Sequence, residues 1–308
     1  MLSSGERRTF CPDSRNGREA RSPPHRRSEP ATPEPTTQRG YDRAVNSQEK
    51  YTHGHHESVL RSHTWRTIAN SAAYLAPRLA PGLSLLDVGC GPGTITVELA
   101  DAVAPGRVVG VDASAEIVAK AAGFERPNLE FIVANAYALP FEDDTFDIAH
   151  AHQTLQHVAD PVAVLRELRR VVKPGGLVAA RDVDYAGLIV HPQSHGLDEW
   201  LRIYELVHRG NGGEPDAGRR LKAWALDAGF EDVATSASIW NFSDATDREW
   251  WGSMWEARVL QSAFAADATG KGIATLAELD AISRAWRAWA DTEAGWLAMP
   301  HGEIIATA

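Results

Sequence analysis

The chain has 308 residues, 44% of them hydrophobic and 23% charged, with a formal net charge of -10; this is a globular composition, long enough for a large core and unlike any low-complexity or fibrous chain. Residues 1–40 hold eight Arg against five acids, so the remainder is more acidic than the whole and makes a poor partner for a phosphate backbone. No apolar run reaches about 18 residues, so no membrane span is expected, and two cysteines, Cys11 and Cys90, give no disulfide framework and suit a cytoplasmic location.

Residues 1–45 are rich in Arg, Ser and Pro and poor in large apolar residues, which predicts a disordered tail. Residues 46–82 read as short N-terminal helices. From Leu83 onward strand and helix patterns alternate. "LSLLDVG" reads as a buried strand, "TITVELADAVA" as a helix, "RVVGVDAS" as a second strand and "AEIVAKAAGF" as a second helix. "LEFIVANA" and "FDIAHAHQ" continue the strands, "DPVAVLRELRRVV" is a helix with Asp160 as N-cap and Pro161 at its first position, and "GGLVAARDV" is a fifth strand. The rhythm then changes. Helical stretches at about 185–217 and 244–298 interrupt a remaining helix and strand, "GRRLKAWALDAGF" and "EDVATSASIWNF", and the chain ends in a short strand, "GEIIATA". The alternation predicts an α/β fold, a Rossmann-like doubly wound, mostly parallel seven-stranded sheet over residues 83–308 with two helical cap insertions. Ligands of such sheets bind at the carboxyl ends of the strands.

The loop after the first strand, "DVGCGPGT", selects the ligand class. A dinucleotide loop needs G-x-G-x-x-G, but Thr94 stands at the third glycine position and Gly93 comes one residue early. Asp87 would repel a pyrophosphate and attract a cationic ligand. S-adenosylmethionine, with an ammonium, a sulfonium and no phosphate, meets that requirement. Asp112 ends the second strand at the spacing from which an acid takes both hydroxyls of a ribose.

Taken in order, "LLDVGCGPGTITVELA", "VVGVDAS" and "NAYALPFEDDTFDIAHAHQTLQHVADPVAVLRELRRVVKPGG" resemble the successive motifs of class I S-adenosylmethionine-dependent methyltransferases, in the branch that includes the ubiquinone/menaquinone C-methyltransferases. The resemblance spans residues 83–183. It implies that Asp87, Gly89, Cys90, Gly91 and Gly93 line the methionine part of the donor, that Asp112 binds the ribose, that Ala113 packs on the adenine, and that Asn135 with Ala136 reads the adenine edge. The family has Asp where this chain has Asn135.

The histidines are read against structural alternatives. "YTHGHHESVLRSHTWRT" concentrates His53, His55, His56 and His63, without the Cys or clustered acid of a metal site, so no metal is expected. Packing and covering the donor both remain open there; the resemblance implies a lid, with Tyr51, His55 and Arg66 reaching the methionine carboxylate. His150 reads as a buried strand residue with a hydrogen-bonded ring, while His152 and Gln153, where the fourth strand ends, should border the pocket. The resemblance puts His157 beside the transferable methyl group, as a general base titrating near working pH or as a structural hydrogen-bonding residue. Asp182, Asp184 and Tyr185 should face the same mouth, with Tyr185 orienting an acceptor. Nine of the ten tryptophans lie between Trp200 and Trp296, as helix packing or as the wall of an aromatic chamber. The reading is a methyltransferase acting on an O, N or C atom of a small apolar or aromatic metabolite. The alternatives are a catalytically silent S-adenosylmethionine-binding protein and a methyltransferase of macromolecules.

Overall fold

The computed structural model describes residues 65–308. Tyr51 and His55 lie outside this range, as do His53, His56 and His63 and the tail. Four-residue helix α1 (Ile68–Ser71) opens the described part, with a capping box in which Thr67 and Asn70 satisfy each other's backbone amides.

The first five strands are β1 (Leu85–Val88), β2 (Val108–Asp112), β3 (Leu129–Val133), β4 (Phe146–His152) and β5 (Val172–Val183). Helices α2 (Thr94–Val103), α3 (Ala115–Ala121) and α4 (Pro161–Val171) connect them. All four side chains of β1 are buried, as a strand covered by helices on both faces requires. Asp160 caps α4 by accepting from the Ala163 amide at 2.9 Å, with Pro161 at the first helical position.

The order is β3-β2-β1-β4-β5, all parallel, followed by the antiparallel β8 (Trp296–Thr307). Strand β7 (Val233–Phe242) pairs antiparallel with β8 along residues 297–306. Among the described residues the sheet has eight strands and not the expected seven. The added one is the three-residue β6 (Ile189–His191), on residues 296–298 of β8. β8 starts six residues before the expected "GEIIATA", because Pro300, which has no backbone amide to donate, is accommodated in its pairing with Ile239.

Helices α5 (His195–Gly210), α6 (Leu221–Asp227), α7 (Ala245–Gln261), α8 (Ala263–Gly270) and α9 (Leu276–Asp291) complete the chain. Two apolar cores lie against the sheet, one including Leu86, Val109, Leu165 and Phe230 and the other Leu85, Leu99 and Ile148. A third is aromatic and joins α5, α7 and α9 to β7 and β8. At its centre the ring of Trp200 meets Trp255 and Trp286 edge-on, with centroids 4.7 and 4.8 Å apart. Such contacts add about 0.5–1.5 kcal/mol each beyond area burial.

Candidate active site

The carboxyl ends of the strands enclose a cavity of about 420 Å³, within the range of small-molecule sites. Its wall follows the order of the sheet. Ala134, Asn135 and Ala136 come from the end of β3, Asp112 and Ala113 from β2, and the glycine loop from β1. Gln153 and His157 follow β4, Tyr185 follows β5, and Trp240 and Met299 stand on β7 and β8.

The glycine loop turns where a side chain has no room. Gly89 has φ of 69°, and a Cβ there would lie 2.8 Å from Thr154 Cγ2. Gly91 and Cys90 line the cavity. Burial pushes the Cys90 thiol far up, with Asp87 and Asp112 adding to the effect, so it is a neutral wall and not a thiolate nucleophile. Gly93 does not line the cavity, contrary to expectation. Its φ is 86°, and a Cβ would meet Phe131 Cζ at 2.8 Å, so it is glycine for the packing of α2 against β3.

Asp87 is 3% exposed. Its Oδ1 lies 2.8 Å from His150 Nδ1 and its Oδ2 accepts from Thr96 Oγ1 at 2.6 Å. His150 is thus the buried, hydrogen-bonded strand residue that was expected, and it holds Asp87 in place. Asp112 accepts from the Gly91 amide at 3.2 Å through Oδ2 and from the Ser114 amide at 2.9 Å through Oδ1. This tests the fit of a cofactor. A loop amide that a pyrophosphate would need donates to a carboxylate instead, and the two acids on this wall favour a cationic ligand with hydroxyls. S-adenosylmethionine fits these residues and a dinucleotide does not. Asn135 accepts from the Tyr137 amide at 3.0 Å through Oδ1, so the orientation of its amide is fixed by the local turn.

Beyond β4 the wall becomes a polar relay. Arg66 Nη2 donates to Gln153 Oε1 at 2.6 Å, Gln153 Nε2 lies 2.8 Å from His301 Nε2, and His301 Nδ1 lies 3.0 Å from the Met299 carbonyl. The carbonyl can only accept and the Gln153 amide nitrogen can only donate, so His301 carries its proton on Nδ1. Gln153 adopts φ of 49°, the left-handed region that non-glycine residues enter at a cost. His152 lines the cavity, is 5% exposed, and among the described residues neither of its ring nitrogens has a hydrogen-bond partner. Burial, then the charges of Arg66 and Arg181, holds its pKa well below the usual imidazole range.

His157 lines the cavity, and burial first, then His208, holds its pKa well below the ordinary value. Its ring stacks on His208 with centroids 4.9 Å apart, and its Nε2 lies 3.1 Å from Gln156 Nε2. His208, pushed down to about 4 mainly by burial, lies 2.7 Å from the Gln156 carbonyl through Nε2 and 3.1 Å from the Tyr204 hydroxyl through Nδ1. Tyr185 lines the cavity and is 6% exposed, with burial raising its pKa while a hydrogen bond with Tyr204 and the charge of Arg258 pull against it.

The neighbours of Tyr185 do not share its place. Asp184 turns away to a bidentate pair with Arg219 at 2.6 and 2.5 Å. Asp182 is fully buried, accepts from the Gln156 amide at 3.2 Å, and is raised by burial to about 8. Trp251 lines the cavity, whereas Trp255 is in the aromatic core. Sequence reasoning did not single out Thr154, Gln156, Trp240, Met299 or Arg258, all on the wall. They come from β7, β8, α7 and the loop after β4. A buried Arg in the Trp-rich helix, "WWGSMWEAR", was the one available signal.

The chain is similar to known proteins over this same region and beyond it. Residues 86–180 match the family model of a methyltransferase domain. Over its greater length the chain is 36% identical to uncharacterized methyltransferase C1B3.06c of Schizosaccharomyces pombe across 267 residues, covering 83% of this chain and 95% of that one. It is 30% identical to a protein of Aspergillus luteorubrus named probable methyltransferase ltbC, covering 83% and 96%. A demethylmenaquinone methyltransferase of Lactococcus lactis is 40% identical over 121 residues, 38% of this chain and 48% of that one. With the glycine loop, the acid at the end of β2 and the sheet order already in place, the chain belongs to the S-adenosylmethionine-dependent methyltransferases.

Proposed function

We propose that this enzyme methylates an O, N or C atom of a small metabolite with an apolar or aromatic body. The carrying observation is one continuous cavity that runs from the glycine loop and Asp112 to Tyr185 and Trp251. Along it, Asp112 would hold the ribose, Ala113, Asn135 and Ala136 the adenine, and Asp87 and the loop backbone at Gly89, Cys90 and Gly91 the methionine part. Arg66, positioned by Gln153, suits the methionine carboxylate; Tyr51 and His55 would assist from the lid of residues 46–82, and His152 would supply a neutral wall.

The donor supplies an already activated methyl group, which the acceptor's lone pair takes as the carbon–sulfur bond breaks with its electron pair on sulfur, leaving S-adenosylhomocysteine. The protein's contribution is therefore alignment and exclusion of water. The Tyr185 hydroxyl would orient the acceptor. His157, neutral across the physiological range, would accept a hydrogen bond or a proton only from an acceptor that must lose one. The residues around 185–217 and 244–298 would form the cap that selects the acceptor, and a sequence with only two cysteines suits a cytoplasmic enzyme. The test is incubation of the full-length chain with a metabolite extract and isotope-labelled S-adenosylmethionine. A small-molecule product heavier by one labelled methyl, read by mass spectrometry, is expected; label found only in protein or nucleic acid would overturn the acceptor class.

A further inference from the structure

The wall of the cavity carries buried polar atoms that the fold itself does not pair. Among the described residues, Gln156 Oε1, Trp251 Nε1 and both ring nitrogens of His152 are buried without a hydrogen-bond partner, and all three side chains line the cavity. Folded interiors pair nearly all such atoms because leaving one unpaired is costly, so their sharing one wall points to the molecule that the wall receives. Gln156 and Trp251 stand apart from the donor residues of β1, β2 and β3, in the turn after β4 and on α7. We propose that Gln156 is a specificity-determining residue for the methyl acceptor, and that the acceptor is a flat, uncharged molecule whose hydroxyl donates a hydrogen bond to Gln156 Oε1. The inference rests on the methyltransferase reading above and names its substrate class.

Gln156 lies in the 3-10 turn Leu155–His157 and is 2% exposed. Its backbone is held on both sides. The amide donates to Asp182 Oδ1 at 3.2 Å, and the carbonyl accepts from the Glu214 amide at 2.8 Å and lies 2.7 Å from His208 Nε2. In the side chain, Nε2 lies 3.1 Å from His157 Nε2 and, as an amide nitrogen, can only donate. The ring nitrogen is therefore the acceptor, and Oε1, which can only accept, is the atom left over. A hydroxyl satisfies it, whereas an ether or a carboxylate would meet it oxygen to oxygen. The other two side chains are neutral as well. Trp251 Nε1 can only donate, and His152, kept below the imidazole range by burial and then by Arg66 and Arg181, offers one N–H and one lone pair. The Trp251 ring stacks on Phe242 with an interplanar angle of 13° and a centroid distance of 4.3 Å, so the wall it forms is flat and fixed. A site built to hydrogen-bond a hydroxyl rejects the analogue that lacks it more strongly than apolar contact alone discriminates.

The test is calorimetry on the full-length chain saturated with S-adenosylhomocysteine. It compares 2-naphthol, un-ionised at pH 7, with 2-fluoronaphthalene, a near-isostere that has no hydrogen to donate. In the wild type 2-naphthol should bind at least about fivefold more tightly, the scale of one hydrogen bond to a buried acceptor. Gln156→Met keeps the side-chain length and the backbone contacts; it should remove that preference while S-adenosylhomocysteine affinity stays within about twofold of wild type. Gln156→Glu keeps an acceptor oxygen and should keep the preference, and it serves if the Met variant fails to fold. Equal affinities in the wild type, no saturable binding of 2-naphthol at millimolar concentration, or a preference that survives Gln156→Met or vanishes in Gln156→Glu would overturn the assignment. A wild-type chain that does not bind S-adenosylhomocysteine would instead overturn the donor-site reading.

Discussion

At the level of single residues, Asp112 and His157 are tested by different measurements. Asp112 holds the loop amide of Gly91 and the Ser114 amide, and as an ionised acceptor it would add two ribose hydroxyls. Removing it should weaken S-adenosylhomocysteine binding by about 100-fold, two hydrogen bonds to a charged group at about 1.5 kcal/mol each. Calorimetry on Asp112→Ala and on Asp112→Asn, which keeps an oxygen for the two amides, separates ligand loss from loop disorder; unchanged affinity in both would remove Asp112 from the site. For His157 the expectation is a silence. Burial and His208 hold its pKa well below the imidazole range, so kcat should show no inflection due to His157 between about pH 6 and 8. An inflection in that window that vanishes in His157→Gln would mean that the ring titrates during turnover.

Among the elements, α7 supplies both core packing and cavity wall. Trp251, Trp255 and Arg258, at i, i+4 and i+7, share one face; Trp251 and Arg258 line the cavity, whereas Trp255 packs against Trp200 and Trp286. Trp255→Ala should destabilise the fold by about 3–5 kcal/mol, the cost of emptying a buried aromatic site, with any loss of activity following the loss of folded protein. Trp251→Ala should also lower the melting temperature, but its folded fraction should show a raised KM for the acceptor with donor affinity within a few-fold of wild type. Melting curves beside turnover distinguish the two. Should Trp251→Ala keep the wild-type KM, the aromatic end would be packing alone.

For the molecule as a whole, buried ionisable groups set the pH range of stability. His152, His157 and His301 have pKa values well below the ordinary one and His208 is pushed down to about 4, each mainly by burial. Below about pH 6.5 the unfolded chain takes up protons that these folded rings refuse, so stability falls with acid. Asp182 acts in the opposite sense. Raised to about 8, it keeps its proton where the unfolded carboxyl has lost it, so its contribution declines as pH rises from about 4 to 8. Four imidazoles outweigh one carboxyl, and the melting temperature should drop between pH 7 and pH 5. Calorimetry checks this; a flat profile over that range would mean the rings are protonated in the folded chain.

The alternation of strand and helix from Leu85 to Val183, the helix start at Asp160 and the acid at the end of β2 were legible in the sequence, because hydrophobic period, capping and strand ends are local properties of the chain. So was the choice of donor, since Asp87 and a shortened glycine pattern sit within a few residues of each other. Contacts between distant segments decided the rest. β6 is a strand only because β8 offers it an edge, and β8 tolerates Pro300 because β7 pairs along its length. Gly93 reads as a loop glycine until Phe131 is packed against it. The low pKa of His157 comes from burial and then from His208, 51 residues away, and Arg258 is one more basic residue of a surface-like helix until the aromatic core closes around it. Local pattern determined most of the elements and the donor they suit; burial, which no single segment can arrange, settled which ionisable side chains lie inside the cavity and where.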